Sequence, residues 1–149
     1  MKGYKFKLEA LLKIRKLKEE QCKMSIGKLQ VQITQLKNEI SVHQAGIETA
    51  YANQENELKS GLNGLEARFH PYFVSGKRAH IKQLNDEINY LTKEVNQKFE
   101  ELKHLRGDVK VIDEMKDKDM LVYKKKIEKK MNEEIEEQNQ NWRQVVMGK

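Results

Sequence analysis

The stretch LQVQITQLKNEISVHQAGIETA, residues 29–50, decides the fold class. Its apolar residues recur at alternating steps of four and three, which is the spacing of the a and d positions of a heptad coiled coil. These residues are Leu29, Ile33, Leu36, Ile40, Ile47 and Ala50, and His43 occupies one slot of the same series. The pattern predicts a long helix with one apolar seam, against which a second helix packs.

The same seam extends along most of the first half of the chain. Arg15 and Glu19 interrupt it near the start, and a small phase shift is expected near Tyr51. The residues that continue it are Leu8, Leu12, Cys22, Ile26, Leu58, Leu62, Leu65 and Phe69. The first half is therefore expected to be helical almost throughout.

The first helix also carries a second apolar stripe, formed by Ala10, Ile14, Leu17, Met24 and Val31. These residues exceed what one partner helix can cover, and an exposed apolar patch usually marks an interaction site. Two interpretations remain open here. The stripe either supports a homodimer or local four-helix packing, or it belongs to a tip that inserts into another protein.

A second seam follows in the other half of the chain. It comprises Ile81, Leu84, Ile88, Leu91, Val95, Leu102, Leu105, Val109 and Ile112, with Lys98 in its one polar slot. Beyond Ile112 the apolar residues recur mostly at steps of four, at Met120, Tyr123, Ile127, Met131, Ile135 and Trp142. We expect less left-handed supercoiling in that part.

The only proline, Pro71, lies between the two seams. Proline inside a helix removes a hydrogen bond at a cost of ~3 kcal/mol, and it disfavours helical geometry at the preceding residue, His70. We therefore predict an all-α fold, a long two-helix antiparallel coiled-coil hairpin with its turn around residues 61–78. The whole chain, 1–149, is expected to be one domain, with a first arm over about 3–69 and a second over about 78–145.

Folding the chain back about position 74 or 75 predicts which residues face one another. Leu58 is expected opposite Leu91, Cys22 opposite Ile127, and Leu8 near Trp142. The glutamates of the run EEIEE, 133–137, are expected opposite the stretch that contains Lys13, Arg15 and Lys16. Exposed ion pairs are each worth only ~0–1 kcal/mol, but together they favour one register.

The composition is unlike that of a globular protein with a thick core. Charged residues make up 35%, aromatic residues 7%, and the mean hydropathy is −0.86, which leaves little apolar surface for a thick core. Disorder is the rival interpretation, but the periodic apolar spacing and the near absence of proline oppose it. Without a signal-peptide h-region or a run of ~20 apolar residues, we expect a soluble cytoplasmic protein.

The residue types that usually carry chemistry show no catalytic or metal-binding pattern. Cys22, the only cysteine, lies on the seam and is expected to pack as a small hydrophobe. His43 is expected to help set the register rather than to bind a ligand, and the other histidines lack metal-ligand spacing. We expect no enzyme activity and no cofactor.

The net charge of +6 raises the question of nucleic-acid binding. Residues 1–37 hold ten Lys or Arg and three Glu, so the basic excess lies in the first arm. Elsewhere lysines alternate with glutamates, and no zinc finger or aromatic RNA-binding platform is visible. Nucleic-acid binding, and membrane-surface binding by the basic amphipathic residues 1–31, are therefore the less favoured alternatives.

The segment FKLEALLKIRKLKEEQ, residues 6–21, resembles the N-terminal motif of the bacterial flagellar export protein family FliJ. Weaker similarity is found in VIDEMKDKDMLVY, 111–123, and in the acidic NEEIEEQ, 132–138. The matched positions of the first motif are Phe6, Leu8, Glu9, Leu11, Leu12, Ile14, Arg15, Glu19 and Glu20. Either this family or its counterpart in virulence type III secretion is indicated.

The resemblance implies a non-catalytic stalk, similar to that of rotary ATPases, at the cytoplasmic face of the export apparatus. In that family the paired termini enter a hexameric export ATPase and promote its assembly and activity. The region near the bend contacts the membrane export gate protein, and the rod engages export chaperones. Carried onto this chain, the ATPase-binding residues would be Phe6, Leu8, Leu11, Leu12, Ile14 and Arg15.

The gate-binding face implied by the resemblance comprises Tyr51, His80 and Leu84. The family tends to have a Tyr-x-x-Phe-x-x-x-Leu-x-x-x-Ile run there, and Leu84 and Ile88 match its end. His80 replaces the Phe and Lys77 replaces the Tyr. The alternative function is a general coiled-coil scaffold or dimerisation module unrelated to secretion.

Overall fold

Two long helices account for the fold. The structure, a computed structural model, describes the backbone of residues 3–61 and 64–148 and the side chains of residues 3–61 and 70–148. Helix α1 spans Glu9–Ser60 and helix α2 spans Gly64–Met147. The two helices run antiparallel and contact one another along their seams, so the predicted all-α antiparallel hairpin is confirmed.

The chain divides into two compact units. The terminal unit contains residues 1–19 and 103–149, and the inner unit contains residues 20–102. In each unit a piece of α1 packs against a piece of α2, and the expectation of a single domain stays a prediction.

The break between the helices lies at the start of the predicted interval 61–78, and Pro71 does not form it. Helix α1 ends at Ser60, and Gly61 has a φ of 86°, the left-handed conformation that commonly terminates a helix. Pro71 lies inside α2, His70 before it is helical, and the Pro71 side chain is exposed. The helices are consequently unequal, with 52 residues in α1 and 84 in α2.

This early break changes the register, and the predicted facing pairs are wrong. In the inner unit the Cys22 thiol lies 3.4 Å from the carbonyl oxygen of Lys98, rather than beside Ile127. In the terminal unit Leu8 packs against the cluster of Leu12, Val109 and Ile112, rather than near Trp142. The partner of each α1 residue thus lies several turns earlier along α2 than expected.

The expected pairing of the acidic run with the basic first arm is also wrong. Arg15 pairs with Asp108 at 3.7 Å, and Lys16 pairs with Asp113 at 3.9 Å. Every side chain from residue 131 to residue 148 is exposed, including those of Glu133, Glu134, Glu136 and Glu137.

The seam itself is largely as predicted. The buried residues are Leu12, Cys22, Ile26, Ile40, Ala50, Val74, Leu84, Leu91, Val95, Leu102, Val109 and Ile112. Val74 had been assigned to the bend and instead occupies the seam of α2. Leu58 was expected in the seam but is 62% exposed, because the heptad continues from Ala50 to the half-buried Gln54 without a phase shift. Of the other expected seam residues, Leu62 lies outside the described residues, and Leu65 and Phe69 lie outside the described side chains.

Replacing Gly61 tests where α1 ends. Gly61→Ala is expected to lower the free energy of unfolding by about 1–2 kcal/mol, because an L residue resists the left-handed conformation although space around it is open. Gly46→Ala is the matched control, since Gly46 lies within α1 and a Cβ there meets no atom within 4 Å. Alanine in a helix should stabilise the protein by up to about 1 kcal/mol. Urea unfolding of both variants measures the two effects, and equal, favourable effects would contradict the break at Gly61.

Candidate functional site

The predicted ATPase-binding residues lie just before and in the first turns of α1, in the terminal unit, and they differ in exposure. Leu12 is 2% exposed and lies between the helices, with Phe6 and Leu8 packed against its cluster. Leu11 is 37% exposed and Ile14 is 52% exposed. Leu11 and Ile14 are therefore free to contact a partner, whereas Leu12 supports that surface from inside.

The second apolar stripe of α1 is exposed, as its spacing indicates. Ile14 is followed along the stripe by Leu17, Met24 and Val31, which are 58%, 62% and 57% exposed. Because the seam of α1 is filled by α2, nothing in the described part of the chain covers this stripe. The stripe adds exposed apolar side chains to α1 among the basic residues of the first arm.

Ion pairs between the helices show the register of the terminal unit. Besides the pairs of Arg15 and Lys16 with α2, Glu19 pairs with Arg106 at 3.5 Å. Lys116 donates to Glu9 at 2.8 Å, and this hydrogen bond is the main cause that lowers the pKa of the Glu9 carboxyl. Arg15 and Glu19, which interrupt the apolar seam in the sequence, are half-buried, and each forms an ion pair with a residue of α2. Arg15 is thus engaged within the chain as well as being a predicted binding residue.

Residues before α1 also contact α2. The Tyr4 hydroxyl donates to Asp119 at 3.0 Å, and its ring lies 5.3 Å from that of Tyr123. Desolvation, followed by the hydrogen bond to Asp119, raises the pKa of Tyr4. The chain preceding α1 is therefore attached to α2 at this point.

The predicted gate-binding residues lie in the inner unit, and they too differ in exposure. Tyr51 is 47% exposed, and its hydroxyl accepts a hydrogen bond from Arg78 at 3.0 Å. His80 is exposed and meets the ring of His43 edge to face, with 4.6 Å between ring centroids. Leu84 is 5% exposed and belongs to the seam. Tyr51 and His80 can reach a partner, and a direct contact through Leu84 is blocked by α1.

His43, expected to help set the register, is held by α2. Lys77, whose ammonium can only donate, lies 3.1 Å from Nδ1 of His43, so Nδ1 is the accepting nitrogen of a neutral ring. Desolvation is the main cause that lowers the pKa of His43; the charges of Lys77 and His80 add to it, and Glu39 opposes it. Lys77 also lies 5.5 Å from the ring centre of Phe73. Lys77, His43 and His80 thus form a local basic cluster beside the seam.

The cluster is expected to respond to pH. Because the folded-state pKa of His43 lies below the unfolded value of about 6.5, the unfolded chain binds more protons just below that pH. The contribution of neutral His43 to the free energy of unfolding is therefore complete above about pH 6.5. It decreases as pH falls from the unfolded-state pKa of His43 towards its lower folded-state pKa. Lys77→Gln should raise the pKa of His43 part of the way back, since desolvation remains. An NMR titration of the ring protons measures this. Lys82→Gln, an exposed change on the same helix, is the control, and equal pKa values in both variants would contradict the assigned cause.

The structure shows no metal-binding group in the residues it describes. No cluster of three or more His, Cys, Asp or Glu side chains able to hold a metal occurs among them. Neither helix, over its described length, has the apolar stretch needed to cross a membrane. The described surface does offer helix faces with exposed apolar residues, and such patches usually mark interaction sites.

Sequence reasoning missed one exposed surface, the C-terminal part of α2. Its apolar residues were assigned to the seam, but Met131, Ile135 and Trp142 are 58%, 55% and 68% exposed. Placing the turn at Gly61 would have identified this surface, because α1 is then too short to reach these residues of α2.

Comparison with known proteins supports the resemblance seen in residues 6–21. The family described as flagellar FliJ protein matches residues 4–145, which include all of α1 and nearly all of α2. The curated proteins and the solved structures gave no match.

Proposed function

Because the chain belongs to the flagellar FliJ family and is thereby a protein of flagellar export, we propose that it acts as a non-catalytic stalk of the export apparatus. In this proposal it binds the hexameric export ATPase, promotes assembly and activity of the ring, and links the ring to the export gate. It would work at the cytoplasmic face of the membrane, and it would also engage export chaperones. Flagellar motility, and with it chemotaxis, would depend on it.

The observation that carries this proposal is the exposure of Leu11 and Ile14. Both belong to the matched N-terminal motif, and both remain accessible on a helix whose seam is already filled by α2. Exposed leucine and isoleucine side chains are costly unless another surface covers them. The basic first arm beside them favours an acidic surface on the partner.

The proposed ATPase end differs in one respect from the paired termini that the resemblance implies. Tyr4 contacts α2 at Asp119 and Tyr123, whereas residues 131–148 of α2 are exposed on all sides. In the described residues, the terminal unit thus consists of a two-helix part, which contains Leu11 and Ile14, and a single-helix part, residues 131–147 of α2. In our proposal the two-helix part, with Leu11 and Ile14, makes the contact with the ATPase.

The gate contact is proposed for the accessible residues of the inner unit, Tyr51 and His80. Both are held in place, Tyr51 by Arg78 and His80 by His43. Leu84 would act by supporting the helix from the seam.

Replacing the exposed residues by aspartate tests the ATPase contact. Leu11→Asp with Ile14→Asp should weaken binding to the export ATPase by roughly tenfold or more, because a charge at an apolar contact must be desolvated. ATP hydrolysis and ring formation by the ATPase of the same organism are measured together, with and without the variant. Helicity is followed by circular dichroism.

Val42→Asp is the matched control, since Val42 is an exposed apolar residue of α1 outside the predicted site. It should stimulate the ATPase as the native chain does. A folded Leu11→Asp, Ile14→Asp variant that stimulates normally would contradict the proposal. Loss of helicity in that variant alone would show instead that the two residues belong to the core.

A further inference from the structure

The C-terminal segment of α2, residues 124–147, carries an apolar face that the described part of the chain leaves largely exposed. Met131, Ile135 and Trp142 are more than half exposed, and every side chain from 131 to 148 is exposed. Ile127 is half-buried. Spacings of four and seven residues place these four side chains on one side of the helix. The face follows on from the side of α2 that carries Tyr123, which meets Tyr4.

The charges of the segment are divided along its length. Residues 124–130, KKKIEKK, hold five lysines and one glutamate, whereas residues 133–137, EEIEE, hold four glutamates and no basic residue. One half is therefore strongly basic and the next strongly acidic, with Met131 at the boundary. When two copies of the segment lie antiparallel, the basic half of one therefore lies beside the acidic half of the other.

Placing two copies of the segment antiparallel about Met131 satisfies both patterns at once. Met131 then meets Met131 of the second copy, and Ile127 meets Ile135. On the flanks of this apolar contact, Lys130 faces Glu134 and Lys126 faces Glu137, each twice because of the two-fold axis. A parallel pairing would instead set lysine against lysine and glutamate against glutamate.

We propose that the C-terminal segment mediates an antiparallel homodimer of this chain. The occupant of the exposed face is the same segment of a second copy, selected by the charge reversal about Met131. The contact is isologous, so that one patch serves both partners. This inference is independent of the proposed stalk function, since it uses neither the matched N-terminal residues nor the gate-binding face.

Charge-reversed chains test the proposal. The full-length native chain should reach a monomer–dimer equilibrium in analytical ultracentrifugation. A basic-to-acidic variant, Lys126→Glu with Lys130→Glu, and an acidic-to-basic variant, Glu134→Lys with Glu137→Lys, should each dimerise about tenfold or more weakly, because four ion pairs become repulsive. Mixing the two variants should restore dimerisation, since every flanking pair is then opposite in charge.

The mixing step separates pairing from folding. Any effect of the substitutions on the fold of a single chain is the same whether a variant is measured alone or mixed with the other variant. A change on mixing therefore reports only contacts between chains. Ile135→Asp, at the apolar face, should abolish the dimer, whereas Val42→Asp on α1 should not change it.

Two outcomes would overturn the inference. One is a native chain that remains monomeric up to the highest soluble concentration. The other is a basic-to-acidic variant that associates as well as the native chain, which indicates a parallel pair or a different surface.

Discussion

The point at which α1 stops is the constraint on which the rest of the structure depends. Gly61, with its φ of 86°, ends α1 after 52 residues, and α2 then runs for 84. In an antiparallel hairpin the position of the turn fixes every facing pair, so Glu9 meets Lys116 and Cys22 meets Lys98. The position of the turn also fixes which part of α2 has no facing residues of α1. The exposed segment at the C-terminal end of α2 is therefore a direct result of helix length.

Helix type and the seam could be predicted from the sequence because a heptad pattern repeats over many turns and one error does not destroy it. Leu12, Ile40, Leu91 and Leu102 are all buried as their spacing predicts. The register depends on a single local feature, and there the prediction failed. Pro71 predicts the break because proline destabilises a helix interior. The Gly- and Asn-containing stretch 60–64, SGLNG, was the better turn signal. Continuing α2 through Pro71 brings Val74 into the seam, where it is buried.

The candidate site was also predictable only in part, because some of its features depend on spacing alone and others depend on the register. The second stripe of α1 depends on spacing alone, and Ile14, Leu17 and Met24 are exposed as expected. Family resemblance selected residues by type and could not distinguish the buried Leu12 and Leu84 from the exposed Leu11 and Tyr51. The exposed C-terminal face depends on the register, and so it was missed. The terminal unit consequently carries two exposed apolar surfaces, one on α1 that we propose for the export ATPase and one on α2 that we propose for a second copy, and each can be altered separately.

The measurement that tests the register most directly is disulfide formation by the single native cysteine. Cys22 is a free, buried thiol, and its sulfur lies against the backbone of Lys98. At low protein concentration under mild oxidation, a Lys98→Cys chain should form an internal disulfide with Cys22, detected as loss of free thiols in a monomeric species. An Ile127→Cys chain should keep both thiols. Efficient closure in the Ile127→Cys chain and none in the Lys98→Cys chain would restore a turn at Pro71 and contradict both the register and the exposed C-terminal segment.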